Sequence, residues 1–432
     1  MDDLQRRFHR LDRVEAPYLW NEAIGRAAEL ELAPRRAFSP GLGLLAMALL
    51  LVAVAGTVAV GAWLDRSTPG PKIVTYDNGM LVARLGCSGL TAIDARSFEQ
   101  RDLGAVPDAC PRGMTPPAWS RDGSHLVYAV PRDEGNVEAA GIWLYESGSG
   151  DTRQLMGCRE NDSCDFLAID ISPDASLVAY LGLGEGRGAA QELIVRVVDS
   201  GAELRVPLSG SAGRPVFSPD GDQIALAQLG GKSGVYLIDV SGVEDGVIGE
   251  PYMAHGTVEA ADLTWSPDGQ WIAMTQTGGF GSLGDGDHPP GQQQVKRSSR
   301  GVVVLNAATL ETRVLAILQS DTLGAWPTWS ADSSAIAYGA LPIADPTRGQ
   351  RFELWTVTID RGEPTRIYDS GCCIDASTAP IWSPDGTWIA FGVEVPGDDP
   401  GSGTFLIRPD GSQMQRVSRG VLDVAWQPIP RE

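Results

Sequence analysis

One short phrase recurs six times along this 432-residue chain. Trp119-Ser-Arg-Asp-Gly is followed by Ile171-Ser-Pro-Asp-Ala, Phe217-Ser-Pro-Asp-Gly, Trp265-Ser-Pro-Asp-Gly, Trp329-Ser-Ala-Asp-Ser and Trp382-Ser-Pro-Asp-Gly. A short apolar run follows each within a few residues: Leu126, Leu177, Ile224, Ile272, Ile336 and Ile389 begin them. The copies lie roughly 45–65 residues apart, the spacing of propeller blades or solenoid repeats. No other feature constrains the fold as much.

The phrase reads as a strand, a tight turn and a returning strand. Its apolar head (Trp119, Phe217, Trp265, Trp329, Trp382) ends one strand and can pack between sheets. Pro presets φ at the first central turn position. Asp122, Asp174, Asp220, Asp268, Asp332 and Asp385 accept backbone N–H groups, and Gly supplies positive φ. Ala175 and Ser333 replace that Gly, so those two turns are expected to differ slightly. Further strands follow in most copies, such as Gly141-Ile-Trp-Leu-Tyr, Gly234-Val-Tyr-Leu-Ile, Val302-Val-Val-Leu and Glu353-Leu-Trp-Thr-Val. Four strands per repeat, with no long amphipathic helix after Pro71, predict an all-β propeller of four-stranded blades.

These copies resemble the TolB-type, WD-like β-propeller family, whose blades carry W-S-P-D-G before an I-A-F-like strand. The resemblance covers most of the chain after Pro71 and implies the fold; propellers host many functions. Val424-Ala-Trp426-Gln-Pro opens a seventh phrase where the sequence ends. Lys72-Ile-Val-Thr-Tyr, Leu90-Thr-Ala-Ile-Asp and Gln100-Arg-Asp-Leu read as later strands of a blade lacking its first. The two parts are expected to complete each other, which favours seven blades over the alternative of six.

No charged residue occurs from Ala37 to Leu64. Gly41 to Leu64 as a helix would measure about 36 Å, enough to span a bilayer. Arg35 and Arg36 precede the stretch, which places the N-terminus in the cytoplasm. The expected organisation is a cytoplasmic tail over residues 1–37, a transmembrane helix over 38–64, a linker over 65–71 and an extracytoplasmic propeller over 72–432. Ala53, Thr57 and Gly61 have the small-xxx-small spacing of paired membrane helices.

All six cysteines, Cys87, Cys110, Cys158, Cys164, Cys372 and Cys373, follow that stretch, where an oxidising compartment permits disulfides. Cys158 with Cys164 across a short polar loop is the first candidate pair. Cys87 with Cys110 is the second, and the adjacent Cys372 and Cys373 form either a vicinal bridge or two thiols. The spacing lacks C-x₂-C, so no zinc site is expected. The first 37 residues balance Arg against acids, so the net charge of −21 belongs to the remainder. Such a surface disfavours nucleic acid and anionic lipid. Asp220-Gly-Asp222, Asp285-Gly-Asp287 and Asp398-Asp399 are possible cation contacts, but none completes a calcium loop.

No G-x-S-x-G, H-E-x-x-H or phosphate-binding loop occurs, and neither a catalytic residue nor a cofactor is expected. A Gly-rich insertion, Gly278 to Arg300, has a basic tip at Lys296, Arg297 and Arg300. In the tail, Leu4, Phe8, Leu11 and Val14 recur at helical spacing, and Pro17 separates them from a second apolar face at Tyr18, Leu19, Trp20 and Ile24. Leu11-Asp-Arg-Val-Glu-Ala-Pro-Tyr-Leu-Trp resembles the cytoplasmic start of bacterial membrane-anchored propellers, some of which act as anti-sigma factors. The expectation is a non-enzymatic, single-pass binding or sensor propeller of the cell membrane. It would take a protein or small-molecule ligand at the propeller mouth, and the tail could reach a cytoplasmic regulator such as a sigma factor. The alternatives are a propeller enzyme acting on glycans or lactones and a structural envelope scaffold.

Overall fold

The phrase builds the same turn in every copy of the computed structural model, which describes most residues between 76 and 430 but not 278–299 or several shorter loop stretches. The Ser hydroxyl donates to the Asp carboxylate, at 2.6 Å for Ser120–Asp122 and Ser383–Asp385 and 2.7 Å for Ser172–Asp174 and Ser330–Asp332. The same hydroxyl accepts the N–H five residues on, as Leu177 N to Ser172 Oγ at 2.9 Å and Trp271 N to Ser266 Oγ at 2.9 Å. Each Ser is buried, so its two bonds run in a dry environment where leaving either unmade is costly.

Ala175 (φ 63°) and Ser333 (φ 61°) take the left-handed conformation that Gly123, Gly221, Gly269 and Gly386 take elsewhere. Their closing bonds, Ala175 N to Ser172 O and Ser333 N to Ser330 O, are both 3.0 Å. The two turns therefore do not differ, contrary to the sequence expectation. The Ser–Asp clamp holds the geometry against a strain of about 1–2 kcal/mol.

Seven antiparallel sheets result. The first blade joins Gln100–Asp102, Leu90–Asp94 and Tyr76–Arg84 to the last strand, Val424–Pro430. The second holds Ala118–Trp119, His125–Val130, Gly141–Glu146 and Thr152–Gly157, and the third Ile169–Ile171, Leu177–Leu183, Gln191–Val197 and Glu203–Pro207. The fourth begins with a split inner strand, Ser211–Ala212 and Val216–Phe217, before Gln223–Leu229, Gly234–Asp239 and Tyr252–Gly256. The fifth is Glu259–Trp265, Trp271–Thr277, Arg300–Asn306 and Thr312–Leu318. The sixth is Thr322–Trp329, Ala335–Asp345, Glu353–Thr358 and Thr365–Asp369, with Gly349–Gln350 as a side hairpin. In the seventh, Ala376–Ser377 and Ile381–Trp382 share the inner position before Ile389–Glu394, Gly403–Ile407 and Gln415–Ser418.

Alternation along these strands puts apolar side chains on both faces, and each face meets the next blade. Every inter-blade seam carries its own core cluster. Ile142 and Ile194 meet between the second and third blades, Leu226 and Leu193 between the third and fourth, and Phe352 and Phe391 between the sixth and seventh. The phrase tryptophans sit in these seams. Trp265 Nε1 donates to Val216 O at 3.2 Å and Trp329 Nε1 to Thr264 O at 3.1 Å, each a carbonyl of the preceding blade.

The last strand closes the ring. Leu81 pairs with Trp426 and Ala83 with Val424. Leu81, Ile93, Val424 and Trp426 then pack on Ala390, Leu406 and Val417 of the seventh blade. Where other copies have Ser, this one has Gln427, which accepts from Met80 N at 3.2 Å and donates to Gly123 O of the second blade at 2.8 Å. Gly123 lies so close to Pro428 that a β-carbon there would collide with its carbonyl oxygen. Pro71–Glu432 forms one compact unit. The tail over 1–37, the helix over 38–64 and the linker over 65–71 lie outside the described residues. No helix among the described residues is long and apolar enough to cross a membrane.

Candidate functional site

The inner strands of most blades break just before the phrase. Glu259–Trp265 shifts register against its neighbour between Ala261 and Thr264, and Thr322–Trp329 between Leu323 and Ala325. In the fourth and seventh blades the break divides the strand in two. The residue three positions before each phrase falls at or beside this break. From the second blade to the seventh these residues are Pro116, Ala168, Arg214, Asp262, Trp326 and Ala379, and all six line one cavity of about 550 Å³. The first-blade equivalent, Asp423, lies outside the described residues. A cavity of this size lies within the range of about 300–1,000 Å³ that takes small ligands.

The cavity is two-sided. Three consecutive blades contribute Arg214, Asp262 and Trp326, whereas the other described ring positions are the small Pro116, Ala168 and Ala379, with Ser377 and Thr378 beside the last. Arg214 is held from behind: its Nη2 lies 3.2 Å from Asp170 Oδ1 of the third blade. Phe217 N donates to the other Asp170 oxygen at 2.9 Å. Burial raises the Asp170 carboxyl, and Arg214 opposes that rise. The Arg214 Nε is buried and has no hydrogen-bond partner.

Asp262 has φ 54°, a left-handed conformation inside a strand. Its side chain is open to the cavity, while the protein around it pushes the carboxyl up to about 6 and Arg300 opposes that rise. Among the described residues no hydrogen bond or ion pair engages that carboxylate. Asp and Asn tolerate the left-handed region better than other non-glycine residues, and such outliers gather at binding sites. Arg300, read from sequence as part of a basic loop tip, starts a strand here and donates to Thr322 O at 3.2 Å. Lys296 and Arg297 lie outside the described residues.

The phrase turns ring the opposite end of the axis, and one residue spans them. Arg121 occupies the position that is Pro in four of the six phrases. Its N–H donates to Pro173 O at 3.0 Å. Its guanidinium reaches past the third blade to Pro219 O at 3.1 Å and Pro267 O at 2.8 Å. It ties the turns of four blades across the axis.

The turn aspartates point into their own turns, away from the cavity. Burial alone would raise the Asp122, Asp174, Asp332 and Asp385 carboxyls, but the Ser hydroxyls and backbone N–H groups hold them below the ordinary value. Asp222 is raised, by burial first and then by Asp220 and Asp239. Among the described residues no group of three or more His, Cys, Asp or Glu is placed to hold a metal ion. Asp285, Asp287, Asp398 and Asp399 lie outside them. Cys158, at the end of Thr152–Gly157, carries no free thiol. Cys87, Cys110, Cys164, Cys372 and Cys373 lie outside the described residues.

Arg214, Asp262 and Trp326 were not singled out from sequence. The signal was present: counting back three residues from each phrase yields the ring, and only three of the six described positions carry a large polar or aromatic side chain.

The chain matches no protein-family model and no curated protein. Among solved structures it is similar to the periplasmic gluconolactonase PpgL of Pseudomonas aeruginosa, with 14% identity, TM-score 0.51, and coverage of 82% of this chain and 99% of that one. It is similar to an oligogalacturonate lyase in complex with manganese, with 13% identity, TM-score 0.50, and coverage of 72% and 80%. It is also similar to TolB from Acinetobacter baumannii, with 16% identity, TM-score 0.41 and coverage of 66% of this chain; it spans 65% of that chain's length. Seven sheets, each led by one copy of the phrase or its first-blade counterpart, make the fold a seven-bladed β-propeller.

Proposed function

We propose that this chain is a membrane-anchored binding or sensor propeller that takes its ligand in the central cavity and does no chemistry on it. The cavity's lining carries the reading. Among the described residues it has one accessible carboxyl, one guanidinium already tied to Asp170, the Trp326 indole, the Ser377 hydroxyl, and walls otherwise of Pro, Ala, Gly, Val, Leu, Ile and Thr. Groups convergent on a reacting atom, such as paired carboxylates or a nucleophile with its base, mark a catalytic cavity. The described lining has neither pairing. The uncharged stretch from Ala37 to Leu64 supports anchoring, and its Arg flank supports a propeller outside the cell membrane. There Cys158 pairs with Cys164, and the tail over 1–37 relays occupancy to a cytoplasmic regulator such as a sigma factor.

The neighbouring gluconolactonase and lyase make a lactone- or glycan-processing enzyme the rival reading. One variant separates them. Ala379 is exposed on the cavity wall, so Ala379→Trp puts an indole into the cavity while keeping the Asp262 and Arg214 side chains in the sequence. Residues 72–432 should turn over neither gluconolactone nor oligogalacturonate, and should show ligand-dependent rises in melting temperature that Ala379→Trp abolishes. Turnover that Ala379→Trp blocks would replace binding by catalysis. Two free thiols at Cys158 and Cys164 in protein from the envelope would contradict the oxidising compartment.

A further inference from the structure

Among the described residues two charges line the cavity, on adjacent blades and unpaired with each other. Arg214 leans on Asp170 behind it, leaving its buried Nε without a partner. Asp262 feels Arg300 electrostatically, but among the described residues nothing hydrogen-bonds its carboxylate. Trp326 stands on the next blade beyond Asp262, and the described ring positions facing them are the small Pro116, Ala168 and Ala379, with Ser377 and Thr378 beside the last.

This arrangement discriminates by charge. A purely anionic ligand would bring its charge against Asp262, and a purely cationic one against Arg214. A neutral ligand filling the cavity would strip water from both groups without replacing it, a penalty of several kcal/mol per ion before relaxation. A ligand carrying both signs compensates both. Its carboxylate suits the planar guanidinium, and its ammonium suits the carboxylate beside an indole face. We propose that the central cavity binds a small dipolar ligand, an ammonium and a carboxylate on one molecule of di- or tripeptide size. The ammonium lies at Asp262 and Trp326, the carboxylate at Arg214, and an apolar side chain against Pro116, Ala168 and Ala379. The inference rests on the cavity being the binding site and adds the ligand's chemistry.

The test uses residues 72–432, a ring that closes on its own last strand, with zwitterionic Ala-Phe as probe and calorimetry at pH 7.5. N-acetyl-Ala-Phe lacks the ammonium, Ala-Phe-amide lacks the carboxylate, and maltose is neutral. Ala-Phe should bind at one saturable site, and each blocked form should bind at least tenfold more weakly. Asp262→Asn should weaken Ala-Phe at least tenfold while tightening N-acetyl-Ala-Phe, whose lone carboxylate it no longer opposes; a general loss of folding would weaken both. Equal binding of blocked and free peptides, or an Ala-Phe affinity indifferent to Asp262→Asn, would overturn the dipolar assignment. Maltose binding that Ala379→Trp abolishes, without Ala-Phe binding, would overturn it too while sparing the cavity. If no probe binds, or if Ala379→Trp leaves binding intact, both readings fall.

Discussion

Asp262 shows how a repeat departs from its own pattern for a site. Its counterparts at the described positions are Pro, Ala, Arg, Trp and Ala, with Asp423 of the first blade outside them, so the blade itself does not require a carboxylate there. The surroundings hold its proton up to about pH 6, against an ordinary value of 3.8. Between those values the folded chain binds more protons than the unfolded one, so stability falls as pH rises through the window and stays lower above it. Asp262→Asn keeps the size and the tolerance for left-handed backbone while removing the charge. The variant should melt above the parent at pH 7.5, and the difference should shrink at pH 4.5. The gain should stay below about 1 kcal/mol, because the carboxyl remains open to cavity water. A variant melting below the parent at pH 7.5 would show that the charge is compensated in the free protein. The residue types at this site were all visible in the sequence. Their convergence was not, because it depends on a strand break that the phrase does not announce.

At the scale of the turn, the sequence was informative about the phrase and misleading about its exceptions. The phrase Ser is buried in every copy and bonded both to the Asp and to the returning strand, which is why Ala175 and Ser333 keep the shared geometry. Ser333 even uses the departure, accepting Asp268 N of the preceding blade at 3.0 Å. Arg121 is the other exception with a purpose. Pro there would lose the N–H that reaches Pro173 and the side chain that reaches Pro219 and Pro267. Arg121→Ala should cost about 1.5–3 kcal/mol, the range for hydrogen bonds that involve a charged group. Arg121→Pro, although it restores the phrase, should be the less stable of the two in urea denaturation. Parity between Arg121→Pro and the parent would mean the cross-axis bonds contribute nothing to stability.

For the whole molecule, seven blades were legible because two fragments lacked complementary strands. Both halves of that reasoning were local: a phrase opening near Trp426 and strands without a first member near Leu90. The registers joining them needed the structure, since a one-residue slip would reverse every side chain. The observed pairing of Leu81 with Trp426 makes closure a large share of total stability. Truncation after Gly420 removes the inner strand of the first blade, Gln427's bonds to both neighbours, and an indole only 6% exposed. Losing a buried Trp alone costs about 3–5 kcal/mol, where a typical domain holds about 5–15. Tyr76–Arg84 and the seventh blade would then each present an unpaired or uncovered surface, a template for association between copies. The truncated propeller should aggregate or melt far below the parent in circular dichroism. An unchanged melting temperature would mean that the remaining strands hold the ring without the last one.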